Sequence, residues 1–213
     1  MKYTPFLLIL SLSLAHTARG QKKAPRAKAL LKAVYQKYQN QKDADIRFDW
    51  DLYDERTGVH RKSKGMILIK GNRYLLRFMG VEQLFDGTRL YTINPDDREI
   101  NISKGDGGNI FVPDRILSAY QKDYRLSWDI AQRVSGRDIQ FVRLKPKHQS
   151  DTRYILIGVD AKAKRLYRVI DVDKKGVTTE LTLIAYKADQ GIPEARFTFD
   201  KDEYPGYLRN YLE

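Results

Sequence analysis

From residue 45 onward the chain alternates apolar and polar residues in short runs, and each run ends at a turn signal. Ile46, Phe48, Trp50 and Leu52 alternate with Asp45, Arg47, Asp49 and Asp51, the period of a strand with one buried and one wet face. Gly65 to Lys70 and Arg73 to Met79 flank Gly71-Asn72, a hairpin signal. Runs at 83–85, 89–93 and 99–102 follow, separated by Asp86-Gly87 and Asn94-Pro95-Asp96-Asp97. Residues 45–103 therefore read as an antiparallel meander. A Gly-rich loop at 104–112 precedes Pro113-Asp114, which opens a short helix carrying Ile116, Leu117 and Tyr120. Strand runs resume at Tyr124–Ile130, Ile139–Leu144, Tyr154–Val159, Leu166–Val172, Val177–Tyr186 and Phe197–Phe199. About a dozen short strands at this spacing specify a sandwich or barrel. Two helical segments are too few for repeated βαβ units. The tail around Tyr204-Pro205-Gly206-Tyr207 is expected to be loosely ordered.

The first helix precedes the strands. Ala27, Leu30, Leu31, Val34, Tyr35 and Tyr38 recur at three- and four-residue spacing, giving one apolar stripe. That stripe must be buried. A strongly curved antiparallel sheet with helices on its concave side satisfies both patterns, a mainly β (α+β) fold.

Residues 1–20 read as an export leader, with Lys2 before the apolar run Phe6–Leu14 and small residues at Ala18 and Gly20. The run is too short to span a bilayer core of about 30 Å, which takes roughly 20 residues. Cleavage after Gly20 leaves 21–213 as one domain in the periplasm. The formal charge is +12, and the leader takes Lys2 and Arg19 with it and no acid. Its basic residues are spread among acids except at Lys22–Lys28, so nucleic acid is not the expected partner, whereas anionic headgroups or an acidic protein remain open.

Chemistry is sparse. The absence of cysteine excludes disulfides, thiol catalysis and Cys-based zinc sites. His60 and His148 sit in polar, turn-like segments with no ligand partner at metal spacing. Asp171-Val172-Asp173 begins like a calcium loop, but the twelfth position is Thr182 where a bidentate Glu is required. Gly105-Asp106-Gly107-Gly108 lacks the strand–loop–helix setting and Lys-Ser/Thr of a phosphate cradle. Neither an enzyme nor a cofactor is expected. The unusual feature is apolar excess: Met66–Ile69 and Ile155–Ile157 are apolar on both faces and must be covered on both. Either a filled barrel core or a cavity fit for acyl chains would do this.

Residues 65–78 (Gly-Met-Ile-Leu-Ile-Lys-Gly-Asn-Arg-Tyr-Leu-Leu-Arg-Phe) and 85–95 (Phe-Asp-Gly-Thr-Arg-Leu-Tyr-Thr-Ile-Asn-Pro) resemble the LolA family of periplasmic outer-membrane lipoprotein carriers. The leader, the amphipathic helix, the strand with Phe48 and Trp50, Leu144-Lys145-Pro146 and Phe197-Thr198-Phe199 match in order. The resemblance implies a half-barrel closed by helices over an apolar cavity. It implies a non-enzymatic, monomeric shuttle taking acylated lipoproteins from an inner-membrane ABC transporter to an outer-membrane acceptor. A sensor or other lipid binder on the same fold is the alternative; a secreted hydrolase is a third and lacks visible site residues. The acyl-contacting residues expected from strand and helix parity are Leu30, Leu31, Val34, Phe48, Trp50, Leu52, Leu68, Tyr74, Leu76, Phe78, Ile116, Leu117 and Trp128. The family's lid-latching Arg falls at Gly71 here, with Arg73 two residues on.

Overall fold

The structure, a computed structural model, describes residues 23–105, 107, 117 and 123–212. The leader, residues 21–22 and most of the 113–120 helix, Ile116 included, lie outside the described residues. Helix α1 (Lys23–Gln39) leads into strand β1 (Asp43–Asp54). The first meander continues through β2 (His60–Lys70), β3 (Arg73–Phe78), β4 (Val81–Phe85), β5 (Arg89–Asn94) and β6 (Glu99–Lys104). The second runs through β7 (Tyr124–Val134), β8 (Arg137–Pro146), β9 (Thr152–Asp160), β10 (Arg165–Asp173) and β11 (Val177–Ala188). The chain ends on β12 (Leu208–Leu212). β11 pairs antiparallel with β1, which fuses the two meanders into one twelve-stranded curved sheet in the order β12-β6-β5-β4-β3-β2-β1-β11-β10-β9-β8-β7. Helix α1 packs against β7 and β10.

The sheet buries both faces, as the two-sided apolar strands require. On the concave face Ile46, Phe48, Ile67, Tyr74, Val142, Leu144, Ile155, Ile157 and Leu181 form the main core with Ala27, Leu31 and Val34 of α1. On the convex face Leu68, Leu75, Leu84, Tyr91, Ile93, Ile100 and Ile102 form a second core. A smaller convex cluster joins Ile139, Phe141 and Tyr167. Leu156 packs there while its neighbours Ile155 and Ile157 face the main core.

The C-terminal segment departs from expectation. Residues around Phe197 form a 3-10 turn (Glu194–Phe197) where a strand was expected. The tail is ordered: β12 pairs parallel with β6. The reason is aromatic burial. Phe197 is buried in the second convex core, and Phe199 stacks between Tyr91 (centroids 4.3 Å apart) and Tyr204 (5.6 Å). Such pairs add roughly 0.5–1.5 kcal/mol each beyond their area. The segment is a strap that covers the convex face.

Asp43 fastens that strap. Its carboxylate is buried and accepts the amides of Gln190 (2.7 Å) and Ile192 (3.0 Å). Its backbone carbonyl accepts the amide of Asp189 at 2.9 Å. Charge-assisted bonds of this kind contribute about 1.5–3 kcal/mol each. Asp43→Ala is therefore expected to destabilise the fold by about 3 kcal/mol in urea unfolding, with protease cleavage appearing first near residues 189–200.

Candidate functional site

The concave face under α1 is the candidate site. Its shape begins with one close approach. Gly65 pairs with both Phe48 and Phe78, and a Cβ built on Gly65 would lie 2.2 Å from the Phe48 ring. Glycine there lets Phe48 lie flat across β2. Phe48 then meets Phe78 at 5.6 Å, and Trp50 meets Phe78 edge-on at 5.7 Å. Phe48 is buried, while Trp50 and Phe78 are half-buried.

Most residues expected from parity converge here. Leu31, Val34, Phe48, Tyr74 and Leu117 are buried in the concave core, and Leu30, Trp50, Leu76, Phe78 and Trp128 pack against it half-buried. Leu52, further along β1, is half-buried and belongs to none of the three clusters. Leu68 is misassigned: it lies on the convex face. The Gly71-Asn72 turn pairs Lys70 with Arg73, so Ile69 faces Tyr74, Ile67 faces Leu76, and Leu68 faces Leu75. Once Tyr74 and Leu76 are on the concave face, Ile67 and Ile69 must join them. A one-residue slip exchanges a strand's two faces, and the hairpin register carried the signal that single-strand parity missed.

Gly107, just after β6, lies against this face. Gly107, at φ +82°, is buried against the stacked rings of Tyr74 and Phe85, and its carbonyl accepts the Tyr74 hydroxyl at 2.6 Å. Leu117 is buried in the same core.

A cleft of about 360 Å³ opens where α1 ends, β1 begins and the β2–β3 turn closes. Ala44, Ile46, Ile69 and Tyr74 give it an apolar lining; Gln39, Gln41, Lys42 and Asn72 give it polar groups. The volume is near the lower end of small-molecule pockets, roughly 300–1,000 Å³. Tyr38 and Tyr186 meet edge-on at 5.3 Å in its wall. The Tyr38 hydroxyl accepts the Leu166 amide at 3.1 Å, and burial pushes its pKa up to about 12. The Tyr186 hydroxyl donates to the Gln41 side-chain carbonyl. The spacing of the helix stripe includes Tyr38 but gives no sign of its pairing with Tyr186, 148 positions away in the chain.

Arg73 also borders the cleft, but its guanidinium is committed to the C-terminal strap. Its guanidinium pairs with Glu194 and lies over the Phe197 ring, 5.8 Å from the centroid. Lys70 reaches the same carboxylate at 2.9 Å. These hydrogen bonds hold Glu194 below the usual carboxylate range. Arg73 thus secures the C-terminal strap on the convex side and does not stand in for a latch on α1.

Asp171 is the unexpected polar group. It follows Val169 by two residues on β10, which puts it on the concave parity. Burial raises its pKa, the hydrogen bond from Thr152 opposes the rise, and the Asp173 charge adds to it. Its charge also helps raise the pKa of Tyr124, after burial. Among the described residues no group of three His, Cys, Asp or Glu could hold a metal ion, and no helix is long and apolar enough to cross a membrane.

No family model matches the chain. It is 30% identical over 115 residues to an outer-membrane lipoprotein carrier protein of Pseudomonas putida GB-1, covering 54% of this chain and 55% of that one. The carrier protein of the same name from Pseudomonas fluorescens Pf-5 is 28% identical over 121 residues, covering 56% of this chain and 58% of that one. Over about half its length the chain is thus similar to outer-membrane lipoprotein carrier proteins. The chain spans about half the length of the curated relatives it matches. In fold, an uncharacterized conserved protein of Thermus thermophilus superposes with a TM-score of 0.61 at 10% identity, over 88% of this chain and 99% of that one. LprF of Mycobacterium bovis gives 0.50 at 14% identity, over 80% and 97%. At these identities the structural likeness concerns the fold alone.

Two outcomes test this concave face. Gly65→Ala should drive Phe48 off β2, lower stability by roughly 1–3 kcal/mol, and shift tryptophan emission, since Trp50 shares Phe78 with Phe48. Asp171→Asn should stabilise the protein at pH 7. Its folded pKa lies above the ordinary carboxyl value of 3.8, so ionisation penalises the folded state as pH rises through that window. The stability difference between variant and parent should close below about pH 3.8, where the carboxyl is neutral in both states.

Proposed function

We propose that the protein carries the acyl chains of lipoproteins through the periplasm, sheltering them between the concave face and α1. The half-buried apolar side chains of α1 and the concave face carry this reading: Leu30, Trp50, Leu76, Phe78 and Trp128 are packed on a core yet keep partial exposure. Each CH₂ removed from water contributes about 0.8 kcal/mol, so a chain that must cross water needs such a container. The affinity must also permit release. Displacing α1 from its own apolar contacts offsets part of the gain from binding, which keeps the exchange close to balance.

In this reading residues 1–20 direct export and are removed after Gly20, and residues 21–213 work as one monomeric binding domain without a chemical step or cofactor. The donor is an inner-membrane ABC transporter and the recipient an outer-membrane acceptor. The names of the sequence relatives support the cargo class.

Native mass spectrometry of the protein isolated without detergent, followed by titration of a fluorescent acyl probe, tests this directly. One probe per chain is expected. Leu76→Glu should weaken that binding by about tenfold or more, because the carboxylate would have to be buried against the probe, while circular dichroism shows the fold retained. A folded parent protein that carries no lipid and takes up no probe would refute the carrier reading.

A further inference from the structure

The cleft opens inside a rim of cations. Lys42 lines it directly. Arg165 lies over the Tyr186 ring in its wall, 5.4 Å from the centroid. Lys37 donates to the Ala163 carbonyl at 2.8 Å, which brings the β9–β10 turn, with Lys162 and Lys164 on either side of Ala163, to the end of α1. Lys42, Lys162, Lys164 and Arg165 are all exposed. Helix α1 adds Lys28 and Lys32 on its exposed face and has no acidic residue anywhere along it.

Nearby carboxylates are committed to backbone amides. Asp160 accepts the Ala163 amide at 2.8 Å, Asp189 accepts that of Lys42 at 2.8 Å, and Asp43 holds Gln190 and Ile192. Among the described residues no ion pair involves Lys42, Lys162, Lys164 or Arg165. On the convex face the pattern is opposite. There Lys62 and His60 meet Asp51, Lys64 meets Asp49, and Arg168 meets Glu180. A cluster of exposed cations without ion pairs therefore borders the mouth of the apolar cleft.

We propose that this mouth docks on an anionic phospholipid surface. A bilayer presents negative headgroups to the rim and apolar chains to the cleft within it, whereas an acidic protein would match the rim alone. Each rim cation contributes roughly fivefold to partitioning onto an anionic leaflet, and salt screens the attraction. Docking stands apart from the cargo reading: vesicle partitioning reports on the rim, probe binding reports on the cavity, and either can fail alone.

The test is cosedimentation of the exported protein with vesicles of phosphatidylcholine alone or mixed with phosphatidylglycerol. Binding to the mixed vesicles alone is expected, with loss at roughly 0.5 M salt. The triple variant Lys162→Gln, Lys164→Gln, Arg165→Gln should partition on the order of a hundredfold more weakly. Arg125→Gln, Lys145→Gln, Arg153→Gln removes the same charge at the opposite ends of β7, β8 and β9 and should leave binding nearly unchanged. Equal losses in the two triple variants would mean diffuse attraction and overturn the proposal. So would a parent protein that ignores anionic vesicles at low salt, including one that instead binds an acidic polypeptide.

Discussion

The backbone pairing of β1 with β11 is the constraint on which everything else in this protein depends. Each meander is assembled from neighbours in sequence, but Asp43–Asp54 finds Val177–Ala188 across more than 120 residues. Such a contact forms at a high loop-closure cost. Once made, it turns two ribbons into one curved sheet and fixes what β1 presents on each side. Phe48 and Trp50 face inward, toward Gly65 and Phe78. Asp43 sits at the strand's start, where it captures the strap that follows directly from β11. A single strand thus sets the concave lining, the convex cover and the entrance to the cleft.

The strap explains how both faces of a sheet can be served without a second sheet. The convex core is closed by aromatic stacking on Tyr91, by Phe197, and by Glu194 held between Lys70 and Arg73. None of these groups belongs to the concave cluster. Rearrangement on one side therefore need not expose the other, and the apolar residues of β2 stay covered on the convex face whatever lies against the concave one.

Much of the fold was legible because local patterns and tertiary demands agree: period-two runs became strands, and the spacing of Ala27, Leu31 and Val34 became a buried helix stripe. The errors have physical causes. The parity of β2 alone assigns Leu68 to the wrong face, because the two-residue turn at Gly71-Asn72 ties that parity to Tyr74 and Leu76. The tail reads as loose because Pro205 and Gly206 are turn residues, yet Phe199, Tyr204 and Tyr207 hold it by ring contacts invisible to periodicity. Gly65 reads as a strand opener, and its reason lies in a ring from the neighbouring strand. The pairing of Tyr38 with Tyr186 at the cleft rests on the same long-range closure as β1 with β11.

The contacts that hold α1 differ from one end to the other. At its C-terminal end they are directional: Lys37 to the Ala163 carbonyl, the Leu166 amide to Tyr38, and the edge-on Tyr38–Tyr186 pair. The chain also passes directly from there into β1. Toward the N-terminal end the buried groups are Ala27, Leu31 and Val34, whose burial is non-directional. An acyl chain can replace those apolar contacts like for like, whereas it cannot supply a donor for Ala163 or an acceptor for Leu166. Under the proposed carrier function, a chain entering beneath the helix would displace its N-terminal half at lower cost than its C-terminal half, with the polar end as the pivot. That pivot lies beside the cleft and its ring of cations, so in the proposed docking the end of the helix that stays fixed is also the end that faces the charged surface.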